Sequence, residues 1–133
     1  MMAKRLKRTG EDHQNIKKFT KKLHAIAVEG CVQAAQSTAF YFQQDMLAVD
    51  GPSVEGQFLA EDTGLLIDSI AFTRSENGAA AGSYTPYGAS WYLNWWADGG
   101  PDGDNPRLTL QDSWNLHKEQ IANEAKLAME SLK

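Results

Sequence analysis

The sequence predicts an α+β domain: a long N-terminal helix, a small antiparallel β-sheet with a hairpin at Asn77-Gly78, and a C-terminal helix packed on the sheet. Three observations carry this prediction. Apolar residues recur at helical spacing near both ends of the chain, an Asn-Gly pair breaks a stretch of strand-like alternation, and Gly- and Pro-rich tracts separate the pieces. The 133 residues suit one domain, and a composition of 42% hydrophobic against 23% charged residues is that of a globular chain.

The first element is a helix from about residue 13 to 47. Ile16, Phe19, Leu23 and Ile26 step by 3, 4 and 3, and Ala27, Ala34 and Ala35 extend the stripe. Asp12 is a fair N-cap, Gly30 is a place to bend, and Asp50-Gly51-Pro52-Ser53 ends the helix. Such a helix is about 50 Å long, more than the diameter of a small domain. Ahead of it, residues 1–11 read as a flexible basic arm, leaving 12–133 as the single α+β domain.

Residues 50–62 read as a loop, after which Asp62 or Thr63 can cap a short helical turn over Gly64–Asp68. Ser69–Ser75 alternates as a strand with Ile70 and Phe72 on one face. Asn77-Gly78 suits a type I′ turn, and residues 79–85 form a weak return strand. Packing is expected to bury Leu66, Ile70 and Phe72 against Phe19, Leu23, Ile26 and Ile121. The tract Trp91–Trp96 is compatible with helix or strand. The last helix can start at Asn105-Pro106 or at Thr109, where Asp112 completes a capping box; Leu110, Trp114, Ile121, Ala125, Ala128 and Leu132 make its apolar stripe.

Charge is unevenly placed. Residues 1–22 hold eight basic and two acidic groups, a net +6, while residues 23–133 carry −10, for −4 in all. An asymmetry of this kind points the basic end toward an acidic partner: nucleic acid, another protein, or the body of a neighbouring copy. No apolar run reaches membrane-spanning length, and no secretory leader follows the basic start, so a soluble intracellular domain is expected.

Catalytic chemistry is hard to find. His13, His24 and His117 make no metal-binding spacing, and one cysteine permits neither an internal disulfide nor a multi-Cys zinc site. Cys31 reads as a small buried hydrophobe, two helical turns from His24. Phosphate-loop and Gly-x-Ser-x-Gly motifs are missing. Asp98, Asp102 and Asp104 lack the spacing of a calcium loop. No enzyme activity, cofactor or metal is therefore expected. The SWYLNWW tract, with Trp91, Trp95 and Trp96, offers aromatic bulk for a core, a protein interface or a sugar platform. No basic residue lies between Ala79 and Pro106 to grip a phosphate backbone there.

Asp62-Thr63-Gly64-Leu65-Leu66-Ile67-Asp68-Ser69-Ile70 matches a T-G-x-L-x-x-S-I signature that follows a long N-terminal helix. A hairpin at Asn77-Gly78, an aromatic stretch closing on Gly99-Gly100, and Pro106-Arg107-Leu108 leading into the C-terminal helix continue the pattern over roughly residues 14–130. In this the chain resembles the neck or tail-completion proteins of tailed double-stranded DNA phages, similar to minor tail protein Z. The resemblance implies a non-enzymatic virion protein, made in the host cytoplasm and placed at the head–tail junction. It would form a cyclic homo-oligomer and contact neighbouring connector, portal or tail proteins. Duplex DNA would pass through the ring without specific binding, and no membrane is involved. Thr63, Gly64, Leu66, Ser69 and Ile70 carry the signature as structural residues. Lys4, Arg5, Lys7, Arg8, Trp91, Trp95, Trp96 and Arg107 are the candidate interface residues. The alternative reading is a nucleic-acid-binding accessory protein that lays Lys17, Lys18, Lys21 and Lys22 on phosphates.

Overall fold

A single helix organises the molecule in a computed structural model that describes residues 2–49, 56–59, 65–84, 89–100, 103 and 106–132. Helix α1 (Met2–Leu47) is followed by a short α2 (Leu65–Ser69), strands β1 (Ile70–Ser75) and β2 (Gly78–Ser83), α3 (Ala89–Ala97) and α4 (Leu110–Glu130). The strands form a two-stranded antiparallel sheet, and α4 packs on α1 and on the sheet, so the α+β architecture is the expected one. Both the hairpin and α4 run antiparallel to α1. Along the hairpin, Ile70 meets Gln43 and Glu76 meets His24; along α4, His117 meets Asp45 and Met129 lies against Gly30.

The helix is longer than the sequence suggests. Residues 2–11, set apart above as a basic arm, carry helical backbone continuous with the rest of α1, and Gly30 does not end it. At 46 residues α1 spans about 69 Å, whereas the 21 residues of α4 cover about 32 Å. Packing therefore reaches only the C-terminal part of α1. Its buried side chains run from Val28 to Met46, and every residue from His13 to Ala25 is exposed. This corrects the expected core: Phe19 and Leu23 lie beyond the end of α4 and bury nothing, with Phe19 62% exposed.

The core sits instead where α1, β1, α3 and the 56–59 segment converge. Ala39, Phe42, Met46, Leu59, Ile70 and Leu93 form its buried cluster, and Leu66, Ile67, Ala81, Trp96 and Leu110 pack around it. Ile70 is buried as expected and Leu66 is half-buried. Phe72 is 36% exposed, because the hairpin climbs along α1 away from this cluster. The register pairs Ile70 with Ser83 and Ser75 with Gly78, so Glu76 and Asn77 form the loop and Gly78 opens β2. Neither loop residue has positive φ, which a type I′ turn at Asn77 would require.

The other elements have local causes. At the start of α4 the Thr109 backbone N–H donates to the Asp112 carboxylate at 2.8 Å, so the second of the two sequence starts is the one used. The aromatic tract is helical. It ends at Gly99 and Gly100, with φ of +120° and +67°. A side chain at Gly100 would also strike the Trp96 ring at 2.8 Å, so glycine is required there twice over.

Candidate functional site

Two features of α1 stand out as sites: a polar seam against α4 and an apolar stripe that is exposed among the described residues. The seam comes from helical periodicity. Ser113, His117, Ile121, Glu124 and Ala128 step by 4, 4, 3 and 4 and share the α4 face turned to α1. Opposite them, Tyr41 and Asp45 are four residues apart on α1. The Ser113 hydroxyl, wholly buried, donates to Asp45 Oδ2 at 2.7 Å, and His117 Nε2 lies 3.0 and 3.1 Å from the same carboxylate. Tyr41 stacks on His117 with centroids 4.6 Å apart and donates its hydroxyl to Glu124 Oε1.

Serine, histidine and aspartate together invite comparison with a hydrolase triad, and the order of contacts rules it out. A triad needs the imidazole between hydroxyl and carboxylate, so that it can take the hydroxyl proton. Here the carboxylate stands between the other two. The Ser113 proton is already committed to Asp45, and the cluster acts as a clamp between helices.

The clamp has a pH signature. Hydrogen bonds from Ser37 and Tyr41 hold the Glu124 carboxyl below its ordinary range, while the bond to Glu124, assisted by burial, raises the Tyr41 phenol. The lowered carboxyl stabilises the fold above its unfolded value of about 4.3 and loses that contribution as pH falls. The raised phenol stabilises it below about pH 10 and loses that contribution as pH rises through the folded value. Tyr41→Phe should therefore flatten the alkaline limb of a melting-temperature-against-pH profile and shrink the acid limb. A Tyr41→Phe profile identical to the parent on both limbs would show that the pair is not formed in solution.

The second feature is the free end of α1. Ile16, Phe19 and Leu23 stand on one face at i, i+3 and i+7, all at least half exposed, while exposed Lys17, Lys18, Lys21 and Lys22 occupy the opposite face. Among the described residues the hairpin loop reaches as far as His24, and none covers Ile16, Phe19 or Leu23.

The remaining predicted residues are scattered. Ser69 is buried, donates to the Leu66 carbonyl and shares a hydrogen bond with the Ser83 hydroxyl across the sheet. Gln43 from α1 reaches over to donate to the carbonyls of Ile67 and Ile70, at 3.1 and 2.9 Å. Leu66, Ser69 and Ile70 thus form the junction between α2 and β1, pinned to the spine. Thr63 and Gly64 lie outside the described residues. So do the side chains of Lys4, Arg5, Lys7, Arg8 and Trp91, and the residues Asp102 and Asp104. Trp95 is partly exposed, and Trp96 is half-buried with the Arg107 guanidinium 5.1 Å from its ring. Arg107 and Trp96 accordingly stabilise each other by about 0.5–1 kcal/mol. Cys31, expected in the core, is exposed. It faces outward because the neighbouring Val32 and Ala35 take the inward positions.

Among the described residues no group of three His, Cys, Asp or Glu is placed to hold a metal ion, and no helix is long and apolar enough to cross a membrane. No protein family, curated protein or solved structure matches the chain.

Proposed function

We propose that this chain is a structural assembly subunit that closes into a ring, and that the ring is the neck joining head and tail of a tailed phage around its DNA channel. The observation that carries the reading is the free end of α1. A helix with an apolar stripe on one side and lysines on the other leaves that stripe exposed among the described residues. Such a face is completed only by another chain. The remainder of the chain carries the −10 charge that a basic end seeks, so a copy of the same protein is a suitable acceptor. The resemblance over Thr63–Ile70 supplies the phage neck as the setting, with connector, portal or tail proteins as the flanking partners. An acidic body suits a channel lining, since it would let duplex DNA slide without sticking.

Light scattering and negative-stain microscopy of the full chain test this. The expected result is a closed oligomer much larger than a dimer, reduced to monomer by Phe19→Asp, with no salt-dependent retention of duplex DNA. The exposed lysines of α1 favour one second reading, an accessory nucleic-acid binder. A monomer that binds duplex DNA, with affinity falling by several decades between low and moderate salt, would establish that reading in place of the ring.

A further inference from the structure

A groove of about 560 Å³ opens beside α1, between β2, α3 and the start of α4. Its floor is the α1 face of Cys31, Ala34, Ala35 and Thr38; Ala79, Ala81 and Gly82 form one wall, and Leu93, Leu110 and Trp114 the other. Alanine and glycine keep floor and wall low, leaving room for large side chains from outside, and no charged side chain lines it. The volume lies within the range of specific binding pockets.

We propose that this groove is the receptor for the free end of α1 of a second copy, with Ile16, Phe19 and Leu23 as the inserted side chains. The inference rests on the ring reading above and names the contact that builds the ring. Three features of the molecule fit this occupant. The stripe has the i, i+3, i+7 spacing by which an amphipathic helix fills an apolar groove. Charge is complementary: the inserted segment belongs to the +6 end, every residue that lines the groove belongs to the part of the chain that carries −10, and no basic residue lines it. Finally, the stripe and the groove floor lie on one continuous helix, with Leu23 about 18 Å along its axis from Ala35. The stripe cannot fold back into its own groove, so the copy that fills it is a neighbour. Donor and acceptor are different surfaces, so the contact can propagate head to tail from copy to copy and close into a ring, as the ring reading requires, where a reciprocal exchange would stop at a dimer.

The single native cysteine at the groove makes the contact directly testable. Thr20 lies on the same α1 face as the stripe without belonging to it. In full-length Thr20→Cys protein treated with a short bismaleimide, peptide mapping should find Cys31 joined to the new cysteine, in a ladder extending beyond the dimer. Cys31→Ser in the same background should abolish the ladder. So should Phe19→Asp, and so should Ala79→Trp, which fills the groove; the melting temperature of Phe19→Asp should stay near the parent's, showing that the subunit remains folded. Links from residue 20 to 31 that stop at the dimer would uphold the groove contact and overturn the ring. A large oligomer whose only links join residue 20 to residue 20 would uphold the ring and overturn the groove contact. A protein that stays monomeric, or whose stripe is protected only by anionic vesicles or duplex DNA, would overturn both.

Discussion

Phe42→Ala should lower the free energy of unfolding by about 3–5 kcal/mol, the largest loss expected from one truncation among the described residues. Phe42 is 0% exposed and lies in the cluster where α1, β1, α3 and the 56–59 segment meet, its ring 6.4 Å from that of Phe58. The void left by its ring would be bounded by four separate elements, one of them a long helix that cannot bend inward to fill it. Incomplete collapse of this kind puts a large-to-small change at the upper end of its range. The neighbouring Phe40 supplies the control, because it is 53% exposed and its truncation should stay within about 0.5 kcal/mol of the parent. Chemical denaturation of both variants measures the difference. Equal losses would contradict the orientation of α1 described, since residues two apart differ by about 200° around a helix axis and cannot both face the core.

Ile121→Ala should follow, at about 2–4 kcal/mol. Ile121 is also 0% exposed, but its surroundings differ. It lies between the Asp45–Ser113–His117 cluster and the Tyr41–Glu124 pair, so water entering the new cavity would find polar groups to bond. That partial rescue places the expected loss below that of Phe42. Leu116, 65% exposed on the far side of α4, should tolerate the same change with little effect. A greater loss at Ile121 than at Phe42 would relocate the main source of stability to the seam between α1 and α4.

Local signals are legible in the sequence, and the structure departs from expectation where a partner distant in sequence decides. The capping pair Thr109 and Asp112 works within one turn, and the hairpin closes over two loop residues, so both are visible in a short window. The Asn-Gly signal still misplaced the loop by one residue, because strand register is set by which side chains face α1 and not by the turn alone. Phe19 and Leu23 belong to an apolar helical stripe, as their spacing with Ile16 predicts, but not to the core. Periodicity identifies a face that wants burial; it does not say whether the same chain buries it. The stripe proposed for α4 included Trp114, whereas the buried position is Ser113, and nothing near Ser113 announces that Asp45 awaits its hydroxyl 68 residues earlier. The same blindness hid Tyr41 and Glu124. Cys31 stands one step around the helix from the buried Val32, a rotation that only the arrangement of hairpin and α4 on α1 fixes.

The segment after α1 and the segment before α4 are joined by a parallel bridge between Phe58 and Leu108. Leu59 N–H donates to the Leu108 carbonyl, Leu108 N–H to that of Gln57, and Gly56 N–H to that of Pro106. The backbone is thereby pinched shut, and everything from α2 to α3 hangs in one closed loop of about fifty residues. Once so long a loop is closed, its length hardly matters: ten further residues would raise the closure entropy by on the order of 0.2 kcal/mol. Insertions in the connections within this loop are therefore nearly free, whereas one residue added to α1 or α4 would rotate an entire face by about 100°. Descendants of this sequence can drift in length between the two clasped segments while the helices on either side must hold their register.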